Sequence, residues 1–465
     1  MNFGLVGLGR LAAPYGVWAA LASAGGHALA QPLPELGRSA LASDPAVAGA
    51  QAQVRATEER LAQARAAFGP TAAITGSKSE SRYTEKPAEN MRPFLTKQVA
   101  LQISQPLLRA ASFSSLDQAE AQLDQSQAQL QQSQIDALQR LIEACFEVLK
   151  ARDALALTHA QQAATSEQLA SAQRSFKIGT APITDVREAE AKADTIAAQL
   201  AAAEHEFDLR QQILAETVGQ PVQGLTTRGL TGERLPVLPV ASIPDWLSTA
   251  MAQSPQLKQA EHALLAAVAE VRKAETAHGP TADLTYSWTR SSETGSATSI
   301  FPRSAVTSQV GVNVNIPLFA SGGTQAKVRE AAALRDKAQS DVDAARRSIT
   351  LGVRQGVSAT LSSVSQSRGL EAAVKSGETS LRANRRGYEV GMRVNAEVLD
   401  AQTKLFEARR DLSKARYDAW VNLSKLKAVS GRLTDADLAE LEGLLVPLEP
   451  DAVQRTNRPS REEGR

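Results

Sequence analysis

One cysteine in 465 residues, Cys145, leaves no disulfide framework to staple this chain. Its place in a helical pattern suits a small packing residue. Aromatic residues are only 4% of the sequence, too few for an ordinary core built on large rings. The five histidines, His27, His159, His205, His262 and His278, are scattered and give no metal-ligand cluster with Cys145. A net charge of +1 gives no electrostatic case for nucleic acid. No catalytic triad or phosphate loop is recognisable, so no enzyme and no cofactor is expected. Beyond the first thirty residues no apolar run reaches the ~18 residues a transmembrane helix needs. An exported chain of this kind is either soluble or crosses a membrane as a β-barrel, whose sequence signal is weaker.

Residues 1–30 read as a signal peptide. Arg10 precedes an apolar run from Leu11 to Ala24, and Ala28-Leu29-Ala30 before Gln31 fits small-x-small cleavage. Val6-Gly7-Leu8-Gly9-Arg10 also looks like a strand entering a dinucleotide-binding turn. That reading needs a helix, a second strand and a later acidic residue. Ala28-Leu29-Ala30-Gln31-Pro32 follows instead.

What the chain has in quantity is Ala, Gln, Ser, Leu, Glu, Lys and Arg, the composition of long, closely packed helices. It also repeats itself. Gly69-Pro70-Thr71-Ala72 returns as Gly279-Pro280-Thr281-Ala282, Pro106-Leu107 as Pro317-Leu318, and Phe176-Lys177-Ile178-Gly179 as Tyr388-Glu389-Val390-Gly391. One unit is duplicated, in the order helix, strand, strand, very long helix, helix. The fold class is therefore mainly α with a small β part. The expected organisation is a first repeat over 31–219, a linker or equatorial belt over 220–244, a second repeat over 245–431, and an equatorial and C-terminal tail over 432–465, partly disordered.

Strict alternation marks the strands, expected at about 71–84 and 97–106 and again at about 281–291 and 307–317. Val99, Leu101 and Ile103 interleave with Ala100, Gln102 and Ser104. Leu284, Tyr286 and Trp288 interleave with Asp283, Thr285 and Ser287. A surface hairpin on a soluble core would alternate too. A barrel wall is favoured by a polar face of Asn, Gln, Ser and Thr and by aromatics on the apolar face. Glu85 to Thr96 and Ser292 to Val306 read as exposed loops. After Pro106-Leu107 the chain is helical to roughly Lys177, on the order of 100 Å, with Ile135, Leu138, Ile142, Cys145 and Leu149 as a coiled-coil seam. It turns at Gly179 and returns from about Ile183 to Val218. This helix and the one before the first strand (Pro45 to Phe68) together nearly match the long helix, which predicts a two-stranded rod. Four strands cannot close a barrel, so a membrane-spanning chain must oligomerise.

The repeat, FKIGTAPITDVREAEAK at 176–192 and YEVGMRVNAEVLDAQTK at 388–404 resemble the TolC family of bacterial outer-membrane channel proteins, over about Pro34 to Leu433. The resemblance implies a homotrimer with a 12-stranded transmembrane β-barrel in outer-membrane lipid, continued by a periplasmic α-helical barrel. It implies export of small molecules or secreted proteins in a tripartite efflux or type I secretion system, docked on a periplasmic adaptor bound to an inner-membrane pump or ABC exporter. It further implies a gate formed by Thr184, Asp185, Tyr388 and Arg393, and a pore constriction carrying Glu397 and Asp400. The tips Ile178, Gly179, Thr180 and Val390, Gly391, Met392 are the adaptor-docking positions. The alternative is a soluble periplasmic coiled-coil scaffold or adaptor.

Overall fold

The computed structural model describes residues 31–85, 90–222, 224–230, 235–238, 243–296 and 299–447. The expected signal peptide, the dinucleotide-like turn within it and the last part of the tail lie outside them.

Two helices open the described chain, α1 (Leu33–Ser43) and α2 (Pro45–Ala66). Asp44 separates them by capping α2: its carboxylate accepts from the backbone N–H of Ala46 at 2.8 Å and of Val47 at 3.3 Å, and Pro45 occupies the first turn, where its missing N–H costs nothing. A hairpin follows, β1 (Thr71–Glu85) and β2 (Asn90–Leu108), then the 68-residue α3 (Ala110–Lys177) and the returning α4 (Ile183–Val218). A short stretch holds β3 (Arg228–Leu230) and α5 (Ile243–Gln253). The unit then recurs as α6 (Pro255–Thr276), β4 (Thr281–Glu293), β5 (Arg303–Asn315), the 67-residue α7 (Gly323–Glu389) and α8 (Asn395–Val429). The described residues end with α9 (Asp435–Glu442) and β6 (Leu445–Pro447).

The first hairpin is longer than its alternation suggested. β2 begins at Asn90, inside the stretch expected to be a loop, and pairs with β1 as far as Glu85↔Asn90. Pro93 and the charges around it hid this part of the strand. A proline is tolerated there because, among the described residues, β2 has no partner on its other side beyond Leu95, whose carbonyl accepts from the Thr294 N–H at 3.0 Å.

All four long strands join one antiparallel sheet in the order β1-β2-β4-β5. The two hairpins meet through β2 and β4, with Leu101 opposite Trp288 and Ile103 opposite Tyr286. Among the described residues the outer sides of β1 and β5 have no partner. The register sorts the side chains by face. Ile74, Leu101, Ile103, Tyr286, Trp288, Val310 and Val312 share one face; Thr75, Gln102, Ser104, Thr285, Ser287, Gln309 and Asn313 share the other.

The helices form rods on one end of the sheet. α2 and α4 both lie along α3, and α6 and α8 both lie along α7; α3 also packs against α6 and α8, joining the repeats. The seam residues Ile135, Leu138, Ile142, Cys145 and Leu149 are all buried. Burial pushes the Cys145 thiol up to about 12, so it stays protonated and packs as an apolar group. The largest core lies midway along the rods, where α1 and α9 cover α3, α4 and α8. Here β3 pairs with β6, and the Glu442 carboxylate binds both Arg228 and the Leu33 backbone N–H (2.9 Å to the latter). Tyr417, almost fully buried, donates to Asp153 at 2.9 Å, and its ring meets Phe146 at 5.8 Å between centroids. Among the described residues no helix is long and apolar enough to cross a membrane.

Candidate functional site

The end of the rods farthest from the sheet gathers most of the residues singled out in the sequence. α3 and α7 stop there in the same way. Gly179 and Gly391 adopt φ of +78° and +75°, a left-handed conformation open to glycine at no steric cost. In the first turn Gly179 donates to the Phe176 carbonyl at 3.0 Å and Thr180 to that of Ser175 at 2.9 Å. In the second Gly391 donates to Tyr388 at 3.0 Å and Met392 to Gly387 at 2.8 Å. This crossed pair of bonds satisfies helix-end carbonyls and reverses the chain tightly. The cost is apolar exposure: Ile178 is 75% accessible, Val390 68% and Met392 81%.

Between the two turns lies a cleft of about 600 Å³ lined by Asp185, Tyr388 and Arg393 among others. Asp185 sits in the first turn of α4, where the partial positive charge of the helix N-terminus favours a carboxylate. The Tyr388 hydroxyl donates to Asp185 Oδ2 at 3.4 Å, across from the end of α7 to the start of α4. Partial burial, then the neighbouring Asp185 charge and the hydrogen bond to it, raise the Tyr388 phenol above its usual value. Phe176, at the matching position of the first repeat, has no hydroxyl and makes no such link.

The other predicted residues are placed differently. Arg393 lines the cleft, but its Nη1 donates to Glu397 Oε2 at 2.5 Å, one turn along α8, rather than to Asp185. Glu397 is thereby a partner of Arg393. The Arg393 stem folds over Gly387: a Cβ added there would stand 2.6 Å from Arg393 Cγ. Thr184 is exposed on the first turn of α4, outside the cleft lining. Asp400 is exposed farther along α8, and Lys404 Nζ lies 2.7 Å from its carboxylate. That hydrogen bond, with the charge of Asp400, raises the Lys404 ammonium above its usual value.

Residues that sequence reasoning missed hold the cleft together. Asn395, fully buried at the start of α8, donates to the Asp185 backbone carbonyl at 3.2 Å and accepts from Gln168 Nε2 at 2.6 Å. Two turns on, buried Gln402 donates to Thr165 Oγ1 at 3.1 Å. These amides bind α8 of the second repeat to α3 and α4 of the first. Their only sequence signal is the i, i+7 spacing of Asn395 and Gln402 on one helix face. Among the described residues no group of histidine, cysteine and carboxylates is placed to hold a metal ion. The arrangement offers a polar cleft bridged by a few hydrogen bonds.

Comparison with known proteins adds to this geometry. A model of the family described as outer membrane efflux protein matches residues 36–220 and 246–432. Outer membrane protein TolC of Vibrio cholerae is 29% identical over 433 residues, 92% of this chain and 97% of that protein. The alkaline protease secretion protein AprF of Pseudomonas aeruginosa is 30% identical over 357 residues, 76% of this chain and 74% of its own length. Among solved structures, the Campylobacter jejuni CmeC outer membrane channel shares the fold with a TM-score of 0.74 at 15% identity, over 88% of this chain and 89% of that one.

Proposed function

The chain belongs to the outer membrane efflux protein family, and on that premise we propose that three copies form a channel-tunnel exporting substrates through the outer membrane. The observation that carries this is the four-stranded sheet, apolar on one face, polar on the other, and unpaired at β1 and β5. Bare edges are not tolerated in lipid, so each β1 must meet the β5 of a neighbour. Two copies would supply about eight strands, a barrel whose interior side chains fill; three supply about twelve and leave an aqueous lumen. The polar face lines that lumen. The rods continue it into the periplasm, and each chain contributes two strands and one rod per repeat.

The tip cleft is the gate. Opening the tunnel means swinging the α7–α8 pair away from α4, which breaks the Tyr388–Asp185 and Asn395–Asp185 links in every copy. The apolar tips at Ile178 and at Val390 and Met392 are surfaces for a periplasmic adaptor. An adaptor that binds better to the splayed tips shifts the equilibrium toward the open state. The energy for transport comes from the inner-membrane pump or ABC exporter joined to that adaptor, and the chain itself is a passive duct without a catalytic step. Asp400 sits on α8 as a candidate ring of carboxylates that would favour cations.

The test is fractionation followed by planar-bilayer recording. The expected result is detergent-dependent extraction, a crosslinked mass of three chains and discrete conductance. Recovery in the soluble periplasm without detergent would instead select a scaffold that never spans the membrane.

A further inference from the structure

On the apolar face of the sheet, uncharged residues rise from the helical end in register: Ala72, Ile103 and Tyr286 abreast, then Ile74, Leu101 and Trp288, then Gly76 and Val99. At that height the character changes. Arg290 stands opposite Val99, and one step outward Lys78 stands directly opposite Lys97. Directly opposed side chains have Cβ atoms roughly 5 Å apart, and diagonal neighbours roughly 7 Å, so the three cations form one cluster. Like charges directly opposed destabilise a sheet. Among the described residues none of the three is joined to a carboxylate: Glu80, farther out on the same face, is taken by Arg82 at 3.5 Å. Gly76 leaves the space between them open, and a hollow of about 460 Å³ is lined by Gly76, Lys78, Lys97, Val99, Arg290 and Ser292.

We propose that Lys78, Lys97 and Arg290 form a binding site for the phosphates of a lipid in the outer leaflet of the outer membrane. The inference rests on the barrel reading above, because only then does this face meet lipid. Lys78 lies about 23 Å along β1 from its start, at roughly 3.3 Å per residue. With strands tilted by about 40° that path is roughly 18 Å of height, which puts the cluster in the outer half of an apolar band about 25 Å tall. The long side chains of Lys78, Lys97 and Arg290 extend their charged ends the rest of the way to its outer border. Trp288 lies two rows below Lys78 and Tyr286 three. A free phosphate would find cations here but no use for Ile74, Val99, Leu101 and Trp288 below them. A lipid uses both, acyl chains against the apolar residues and headgroup phosphates on the cations. Two phosphates fit better than one, since Arg290 grips an anion bidentately while the opposed lysines neutralise another. The class of ligand is therefore a bisphosphorylated glycolipid, and its bound phosphates relieve the repulsion between Lys78 and Lys97.

The experiment uses the full chain extracted from outer membranes in detergent, with native mass spectrometry to read retained lipid. The probes are bisphosphorylated lipid A and the same lipid stripped of phosphate. The phosphorylated form is expected to be retained in preference. Replacing all three cations by serine (Lys78→Ser, Lys97→Ser, Arg290→Ser) should weaken it on the order of 100-fold, about fivefold per cation, with trimer mass and conductance unchanged. Inorganic phosphate should not displace it. Equal retention of the two lipids, unchanged retention by the serine variant, or displacement by inorganic phosphate each overturns the proposal. Should the serine variant fail to assemble, the two-lipid comparison on the unaltered chain still decides it. A charge-keeping variant (Lys78→Arg, Lys97→Arg, Arg290→Lys) must retain the lipid. Extraction without detergent would sink the barrel reading itself, whereas a detergent-dependent trimer blind to phosphate sinks this inference alone.

Discussion

Replacing Tyr388 by phenylalanine removes one oxygen from the tip cleft and leaves the ring, so it isolates the link to Asp185. The bond is long at 3.4 Å and the phenol only partly buried. That places its value near the low end for a net hydrogen bond, about 0.5 kcal/mol. Three copies opening together would lose about 1.5 kcal/mol of closed-state preference, roughly a tenfold shift toward the open state. Single-channel recording in planar bilayers reads this as a rise in open probability. The pH dependence has a definite sign. Where Tyr388 meets Asp185 the phenol's value is raised, so its contribution is fully present below its ordinary value of about 10 and is lost as pH climbs through the higher value, where a phenolate would repel Asp185. Tyr388→Phe should abolish that alkaline opening. In an Asp185→Ala background the same substitution should have no further effect. An equal rise in open probability with and without Asp185 would show that Tyr388 acts through some other contact, and the gate argument would fail.

Three other outcomes are expected. Asp400→Ala should lower cation selectivity, read from reversal potentials in a salt gradient, but only modestly, because Lys404 already neutralises part of that charge at 2.7 Å. Gly387→Ala should lower the melting temperature despite a helix-propensity gain of up to ~1 kcal/mol, because the new Cβ would stand 2.6 Å from Arg393 Cγ and 3.4 Å from its Cβ, the part of that side chain least able to swing clear; conductance should change little, since Arg393 pairs with Glu397 on its own helix and ties no two helices together. Asn395→Ala should cost about 1–3 kcal/mol by removing the two hydrogen bonds that join α8 to Asp185 and Gln168; circular dichroism melting should register it, and protease nicking at the tips should increase.

How far the sequence spoke depended on whether a feature was local. The returning helix was legible over Ile183–Val218 because Pro182 opens it and Gly219 at φ +78° closes it, both local signals. The strands showed through alternation wherever both neighbours were regular, and faded at Pro93, where only one neighbour remains. By contrast α1 went unread, since its buried face meets α9 at the other end of the chain and the Leu33–Glu442 bond closes 409 positions. The β3–β6 pair is hidden for the same reason. At the tip, the chain turns and Tyr388 stood out through comparison of the two repeats, whereas Asn395 and Gln402 did not. In a chain rich in amides, nothing local tells a buried glutamine from a solvated one; only the approach of α3 to α8 does.

The near-equal lengths of α3 and α7, 68 and 67 residues, restrict how this protein can change in evolution. Adding one residue to either helix advances its tip by about 1.5 Å and rotates every later side chain by about 100°. That would turn the Asp185–Tyr388 and Thr165–Gln402 contacts out of register. A tolerated insertion must restore the face, which a packed seam does every seven residues. It must also enter the outgoing and returning helices of both repeats, or the turns no longer end level. Reach across the periplasm is thus inherited in whole heptads, four helices at a time. A single small indel in one long helix should be far rarer among relatives than substitutions at the same positions.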